Sequence, residues 1–235
     1  MSIQHKIVVP KRKPLPKKLE GNPLGTPSIS IIVGQTGSGK SVIVANLLMA
    51  LQNLHEFDTG LFVTGNNKDP ILDSIELPIA NTPQQLSEYI TELKQAKEGT
   101  NHILVLDDIQ GSPDFNIFAN RSEFAKFMLS HRHYGEDKKK AGQNGVWIIA
   151  TAQTLKNSFS TSVRDQVKNW FMFYPNRHPT MVKHYEEIAQ DPIAMKRAMS
   201  IVKSKGTHSF LFLNKHDASK DQYFLNFDEP LMDLQ

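Results

Sequence analysis

The sequence predicts an α/β fold: a mostly parallel central sheet with helices on both faces and a β-hairpin at the C-terminal end. Three observations carry that expectation. Short, largely apolar segments alternate with amphipathic ones, as in Ser28–Val33 (SISIIV), Ile103–Leu106 (ILVL) and Val146–Thr151 (VWIIAT). Strands buried on both faces read as continuous apolar runs, whereas half-solvated antiparallel strands alternate. A glycine-rich loop follows the first of these runs and opens directly into a segment of helical spacing, Lys40–Asn53. Finally, His208–Leu213 and Gln222–Phe227 are two apolar runs separated by a polar turn, the pattern of a terminal hairpin.

The elements between follow in order. Leu61–Thr64 (LFVT) predicts a second strand, ended by Gly65-Asn66-Asn67. Pro83–Lys97 predicts a surface helix with a polar face, and Arg121–His131 another helix. Trp170–Tyr174 (WFMFY) predicts a further buried strand, and Met181–Lys203 helical structure broken near Pro192. No internal repeat is visible.

Composition narrows the class. The chain has 235 residues, 39% hydrophobic and 22% charged, which suits a soluble globular domain with a sizeable core. It contains no cysteine, so disulfides and thiolate metal sites are excluded. No apolar run reaches the roughly 18 residues of a spanning helix. The N-terminus lacks the apolar stretch and cleavage site of a signal peptide. The net charge of +3 is unevenly placed. Residues 1–20 hold six lysines and arginines against Glu20, a net +5, which leaves −2 for the other 215 residues. We therefore divide the chain into a basic arm and linker, residues 1–27, and a body, residues 28–235. Such an arm either solubilises the chain or touches nucleic acid or an acidic surface.

The loop Gly34-Gln35-Thr36-Gly37-Ser38-Gly39-Lys40-Ser41 matches G-x-x-x-x-G-K-[ST]. Its glycines let the backbone curl so that successive N–H groups point at phosphate oxygens, and the helix that follows adds its positive end. Lys40 would reach the β- and γ-phosphates, and the Ser41 hydroxyl would ligate Mg²⁺. Val42 continues the loop into the helix. At average residue frequencies, a chance match in a chain this long has a probability on the order of 1%. The flanking strand and helix lower it further. ATP and Mg²⁺ are thus the expected ligands, and hydrolysis the expected reaction.

A second motif reinforces the first. Ile103–Leu106 runs into Asp107-Asp108, four apolar residues followed by two acids (a Walker B pattern). Asp107 is expected to hold Mg²⁺, and Asp108 to polarise the attacking water. The strand Val146–Thr151 continues into Ala152-Gln153, and a polar residue there can sense the γ-phosphate. Gln153 is the better candidate and Thr151 the other. Arg132 and Arg164 are candidates for a cation completing the site of a neighbouring subunit. His131 and His133 flank Arg132 but lack the further ligands of a metal site. The polar loop 135–145 carries Lys138, Lys139 and Lys140, and reads either as a solvated insertion or as a grip on a phosphate backbone.

Taken together, the P-loop at 34–41, LVLDD at 104–108, the Arg-His pair at 132–133, ATAQ at 150–153 and SVRDQVKNWFMFY at 162–174 resemble the FtsK/HerA superfamily. More closely, they look like the genome-packaging ATPases of DNA viruses with double jelly-roll capsids. The resemblance spans roughly residues 28–175. It implies a RecA-like P-loop NTPase fold and an ATPase that translocates double-stranded DNA into a preformed capsid. It also implies a homo-oligomeric ring, hexameric by preference, contact with capsid or vertex proteins, and a location at the virion vertex or in the host cytoplasm. Lys40, Ser41, Asp107, Asp108 and Gln153 carry over directly. Arg132 and Arg164 align with family arginines, and which of them acts in trans stays open. The long loop 135–145 departs from relatives that connect more briefly. Other FtsK/HerA translocases or helicases and filamentous-phage assembly ATPases share the core motifs, but usually add specificity domains or a membrane segment.

Overall fold

Ile29, Ile31, Ile32 and Val33 have no solvent exposure because the strand they form sits inside a nine-stranded sheet, with neighbours on both edges and helices on both faces. The computed structural model describes residues 22–65, 76–109, 123–136, 143–155, 158–176, 180–216, 221–227, 229–231 and 234. The arm before residue 22 and Lys138, Lys139 and Lys140 lie outside the described residues.

The strands in chain order are β1 (Ile29–Val33), β2 (Thr59–Thr64), β3 (Ile79–Ala80), β4 (Asn101–Asp107), β5 (Gly145–Ala152), β6 (Val167–Phe173), β7 (Phe210–Asn214), β8 (Gln222–Leu225) and β9 (Glu229–Pro230). In space they run β3-β2-β4-β5-β1-β6-β7-β8-β9. The first six of this series are parallel, and the last three antiparallel. The expected parallel sheet and terminal hairpin are both present.

The helices are α1 (Lys40–Asn53), α2 (Pro83–Leu93), α3 (Glu123–Ser130), α4 (Thr161–Gln166), α5 (Met181–Glu186) and α6 (Pro192–Lys205), with a single 3-10 turn at His131–His133. One face of the sheet packs against α1 through Ile43, Val44, Leu47, Leu48 and Leu51. The opposite face packs against α2 to α6, with Leu86, Phe127, Val163, Tyr185 and Met199 among the contacts. Asp191 caps α6 by accepting from the N–H groups of Ile193 and Ala194, and Pro192 occupies the first turn, so the expected break at Pro192 is a helix start. Thr82 and Gln85 form a capping box at α2.

β6 and α4 exceed the sequence expectation, and the two-residue strands β3 and β9 lie outside it. β6 begins at Val167, three residues before the aromatic run, and includes the buried Asn169. Asn169 Nδ2 has three acceptors within reach of its two hydrogens, Leu24 O and the hydroxyls of Ser28 and Ser30, while its Oδ1 is buried without a partner. The same contact ties down residues 22–27, where Leu24 is fully buried. The short α4 was not visible in SFSTSVRDQ; Ser160 caps it through the Val163 N–H.

Candidate nucleotide site

β1 lies between β5 and β6, and Val33 pairs with Ala152 while β4 pairs with β5 through Leu106 and Ala150. This register brings the ends of β1, β4 and β5 side by side. The loop after β1, the acids after β4 and the polar end of β5 therefore share one rim of the sheet, the carboxyl edge where open α/β sheets bind ligands.

The loop 34–39 is built tightly. Gly34 N donates to Ala152 O at 3.0 Å, and Ser38 N to Gln35 O at 3.1 Å. A Cβ on Gly34 would stand 2.4 Å from Ser38 Oγ and 2.7 Å from the Phe173 ring, so only glycine fits. Gly37 and Gly39 hold φ of +78° and +110°, backbone that side chains rarely adopt. Gly39 is also the N-cap of α1 and provides no side-chain cap. The buried Ser38 hydroxyl has no hydrogen-bond partner. A helix start with no side-chain cap and an orphaned hydroxyl in a curled glycine loop together fit phosphate oxygens.

Lys40 is 8% exposed, and its Nζ donates to Gly34 O at 2.9 Å. Burial pulls its ammonium below lysine's ordinary range, while Asp108 and Asp107 push it back up. That opposition marks a cation held in a site poor in water.

Asp107 is 4% exposed and ends β4. The Thr151 hydroxyl donates to Asp107 Oδ1 at 2.8 Å and accepts from the Asp108 N–H at 2.9 Å. Thr151 thus locks both acids with one oxygen. Asp108 takes a φ of +47°, in the left-handed region, where aspartate is tolerated. The two carboxylates are therefore separated by a turn off the strand end rather than by strand alternation. Gln153 Nε2 donates to both Asp108 oxygens at 3.2 Å. Sequence reasoning ranked Gln153 above Thr151, whereas the structure gives each its own contact in one network.

Ser41 and Asp107, the residues expected to hold a metal, both offer oxygen donors. Among the described residues no group of three or more His, Cys, Asp or Glu is arranged to hold one. That sparse set suits Mg²⁺, which takes one or two protein oxygens and completes its shell with phosphate and water.

The arginines lie elsewhere. Arg132 packs its backbone against Gly145, the first residue of β5, within 3.1 Å of where a Cβ would stand. Its Nη2 donates to Gln166 Oε1 at 3.5 Å, just before β6 begins. Arg164 is on α4, one turn before β6, with Nη2 donating to Thr161 Oγ1 at 3.1 Å. Arg132 therefore sits beside the amino end of β5, and Arg164 lies on the connection from β5 to β6.

No protein-family model matches the chain, and no curated protein sequence does. Solved structures share its fold. The genome packaging NTPase B204 from Sulfolobus turreted icosahedral virus 2, in complex with ATP-γS, superposes with a TM-score of 0.60 at 15% identity. The match covers 88% of this chain and 100% of that one. The cytoplasmic domain of the Thermomonospora curvata type VII secretion ATPase EccC superposes at 0.54 and 13% identity, over 89% of this chain and 27% of that one. The pCW3 conjugation coupling protein TcpA, with ATPγS, gives 0.54 and 15%, over 86% and 61%. The chain thus shares its α/β fold, a mostly parallel sheet flanked by helices, with a genome packaging NTPase, a type VII secretion ATPase and a conjugation coupling protein.

Proposed function

We propose that this chain hydrolyses Mg-ATP to move double-stranded DNA, in the manner of a viral genome-packaging motor. The observation that carries the reading is the convergence of Lys40, Asp107, Thr151, Asp108 and Gln153 on one rim of the sheet. Residues 34–42 would hold the phosphates, with Gly34, Gly37 and Gly39 shaping the backbone and Gln35, Thr36, Ser38 and Val42 completing the loop. Lys40 would supply the positive charge that the transferred phosphoryl group requires. Ser41 and Asp107 would hold Mg²⁺, which when bound neutralises charge on the phosphate oxygens. Asp108 would orient the attacking water and accept its proton. Gln153, bonded to both Asp108 oxygens, would fix that carboxylate and respond to a change at the phosphate.

The likeness to B204 along that protein's whole length supports the packaging assignment, with double-stranded DNA and capsid or vertex proteins as partners. The placement of Arg132 beside the amino end of β5, opposite the carboxyl rim that holds Lys40, supports a ring, hexameric by preference, in which one subunit's arginine, Arg132 or Arg164, completes its neighbour's site. A virion vertex or the host cytoplasm follows as the place of action.

The test is phosphate release from Mg-ATP by the purified chain, with and without double-stranded DNA. Hydrolysis stimulated by DNA is expected. Lys40→Ala should abolish it, and Asp108→Asn should lower turnover by about 10²–10³ while leaving nucleotide binding within a few-fold. Absence of hydrolysis under both conditions sinks the reading.

A further inference from the structure

The phosphate loop makes one contact that the motifs do not account for. His208 Nδ1 lies 3.1 Å from Ser38 O, across 170 residues of sequence. A carbonyl only accepts, so Nδ1 carries the proton and donates. The same nitrogen is 3.9 Å from where a Cβ on Gly39 would stand.

The placement of this histidine is fixed by the fold. β7 runs antiparallel to β6, so its beginning lies at the carboxyl rim of the parallel strands, beside the loop. Two residues on, Phe210 is 6% exposed, with its ring 5.6 Å from that of Phe173. Phe173 in turn closes against both Gly34 and Gly39. A packed aromatic wall therefore holds the start of β7 in register with the loop.

A trans peptide places its C=O and N–H on opposite sides. Holding Ser38 O toward His208 turns the Gly39 N–H the other way. Glycine at φ +110° offers little steric resistance to rotation of that peptide, so an outside tether has something to decide. We infer that His208 is a positioning residue of the phosphate loop: it fixes the Ser38–Gly39 peptide so that the Gly39 N–H is presented to the phosphates of the nucleotide. The inference rests on the nucleotide-site reading above and adds a residue from the C-terminal hairpin to it.

The experiment is calorimetric binding of ATPγS with Mg²⁺ to the full chain and to His208→Ala, His208→Asn and His208→Gln, with thermal unfolding of each nucleotide-free protein beside it. The asparagine amide nitrogen sits where Nδ1 does, and the glutamine amide reaches the Nε2 position. We expect His208→Ala to weaken binding about fivefold, the worth of one hydrogen bond. His208→Asn should restore affinity to within about twofold, and His208→Gln should not. Unfolding temperatures should stay level across the set, because His208 is exposed. In steady-state assays the loss should fall on KM rather than kcat. Unchanged affinity in His208→Ala overturns the inference and leaves the nucleotide site standing, as does a loss that His208→Asn fails to repair. If the unaltered chain binds no nucleotide, the site reading falls and this inference with it.

Discussion

At Gly34 a single methyl group is the difference between a loop and a collision. Its Cβ would meet Ser38 Oγ at 2.4 Å and the Phe173 ring at 2.7 Å, and Phe173 is itself wedged in the aromatic cluster with Phe210. Gly34→Ala is expected to leave a folded chain that is about 1–3 kcal/mol less stable, the range for overpacking. Its affinity for Mg-ATPγS should fall by more than about tenfold, because the displaced atoms belong to the loop. Denaturant melts and calorimetry check the two parts separately. The same scale holds the clearest limit of sequence reading. Asp107 and Asp108 are legible as a pair of acids after an apolar strand. That one hydroxyl, Thr151, bonds to both is not legible, since Thr151 is 43 residues or more away and looks like any strand-end threonine.

Among the elements, the strands that face helices on both sides were the easiest to read. β1, β4 and β5 carry mainly apolar runs because all their residues but Asn101, at the start of β4, are buried. β6 reads short in the sequence because Lys168 and Asn169 interrupt that pattern, and the acceptors around Asn169 Nδ2 come from Leu24, Ser28 and Ser30, far away along the chain. β3 is a two-residue edge strand, below the length at which periodicity exists. Helix α2 offers a control that keeps stability and chemistry apart. The Thr82 side chain accepts from the Gln85 N–H while Gln85 Oε1 reaches back to the Thr82 N–H. Thr82→Ala should cost about 1 kcal/mol of unfolding free energy and leave ATP hydrolysis unchanged, since Thr82 follows the edge strand β3, with β2, β4 and β5 between that strand and β1.

For the whole molecule, pH and assembly are the two readouts. His131 is 4% exposed, its Nδ1 donates to Met128 O at 2.7 Å, and burial pushes its pKa down to about 4. Burial also lowers His102 and His216. A base whose folded pKa is depressed binds its proton more readily when unfolded. Its stabilisation is therefore complete above the unfolded value near 6.5 and is lost as pH falls through the folded one. Stability should thus decline between about pH 6.5 and 4, by up to roughly 3 kcal/mol from His131. Urea unfolding across that window checks the slope, and His131→Asn should flatten it in part. Assembly is tested by mixing. If an arginine serves a neighbour's site, rings mixing Lys40→Ala with Arg164→Ala subunits, or with Arg132→Ala, should regain part of the hydrolysis that either variant lacks alone. No recovery with either arginine would remove the trans assignment.

The sequence by itself determined the parts whose chemistry is local: the phosphate loop, the acids after β4, the buried strands and the terminal hairpin. Each is a run of neighbours whose residue types are dictated by backbone curl, burial or charge over a few positions. Only the tertiary structure decided how those parts meet. It put Thr151 and Gln153 on the two acids, set Arg132 beside the amino end of β5, and brought His208 to Ser38 from the C-terminal hairpin. Those contacts depend on strand order and register, which follow from how the whole chain packs, and no short stretch of sequence encodes them.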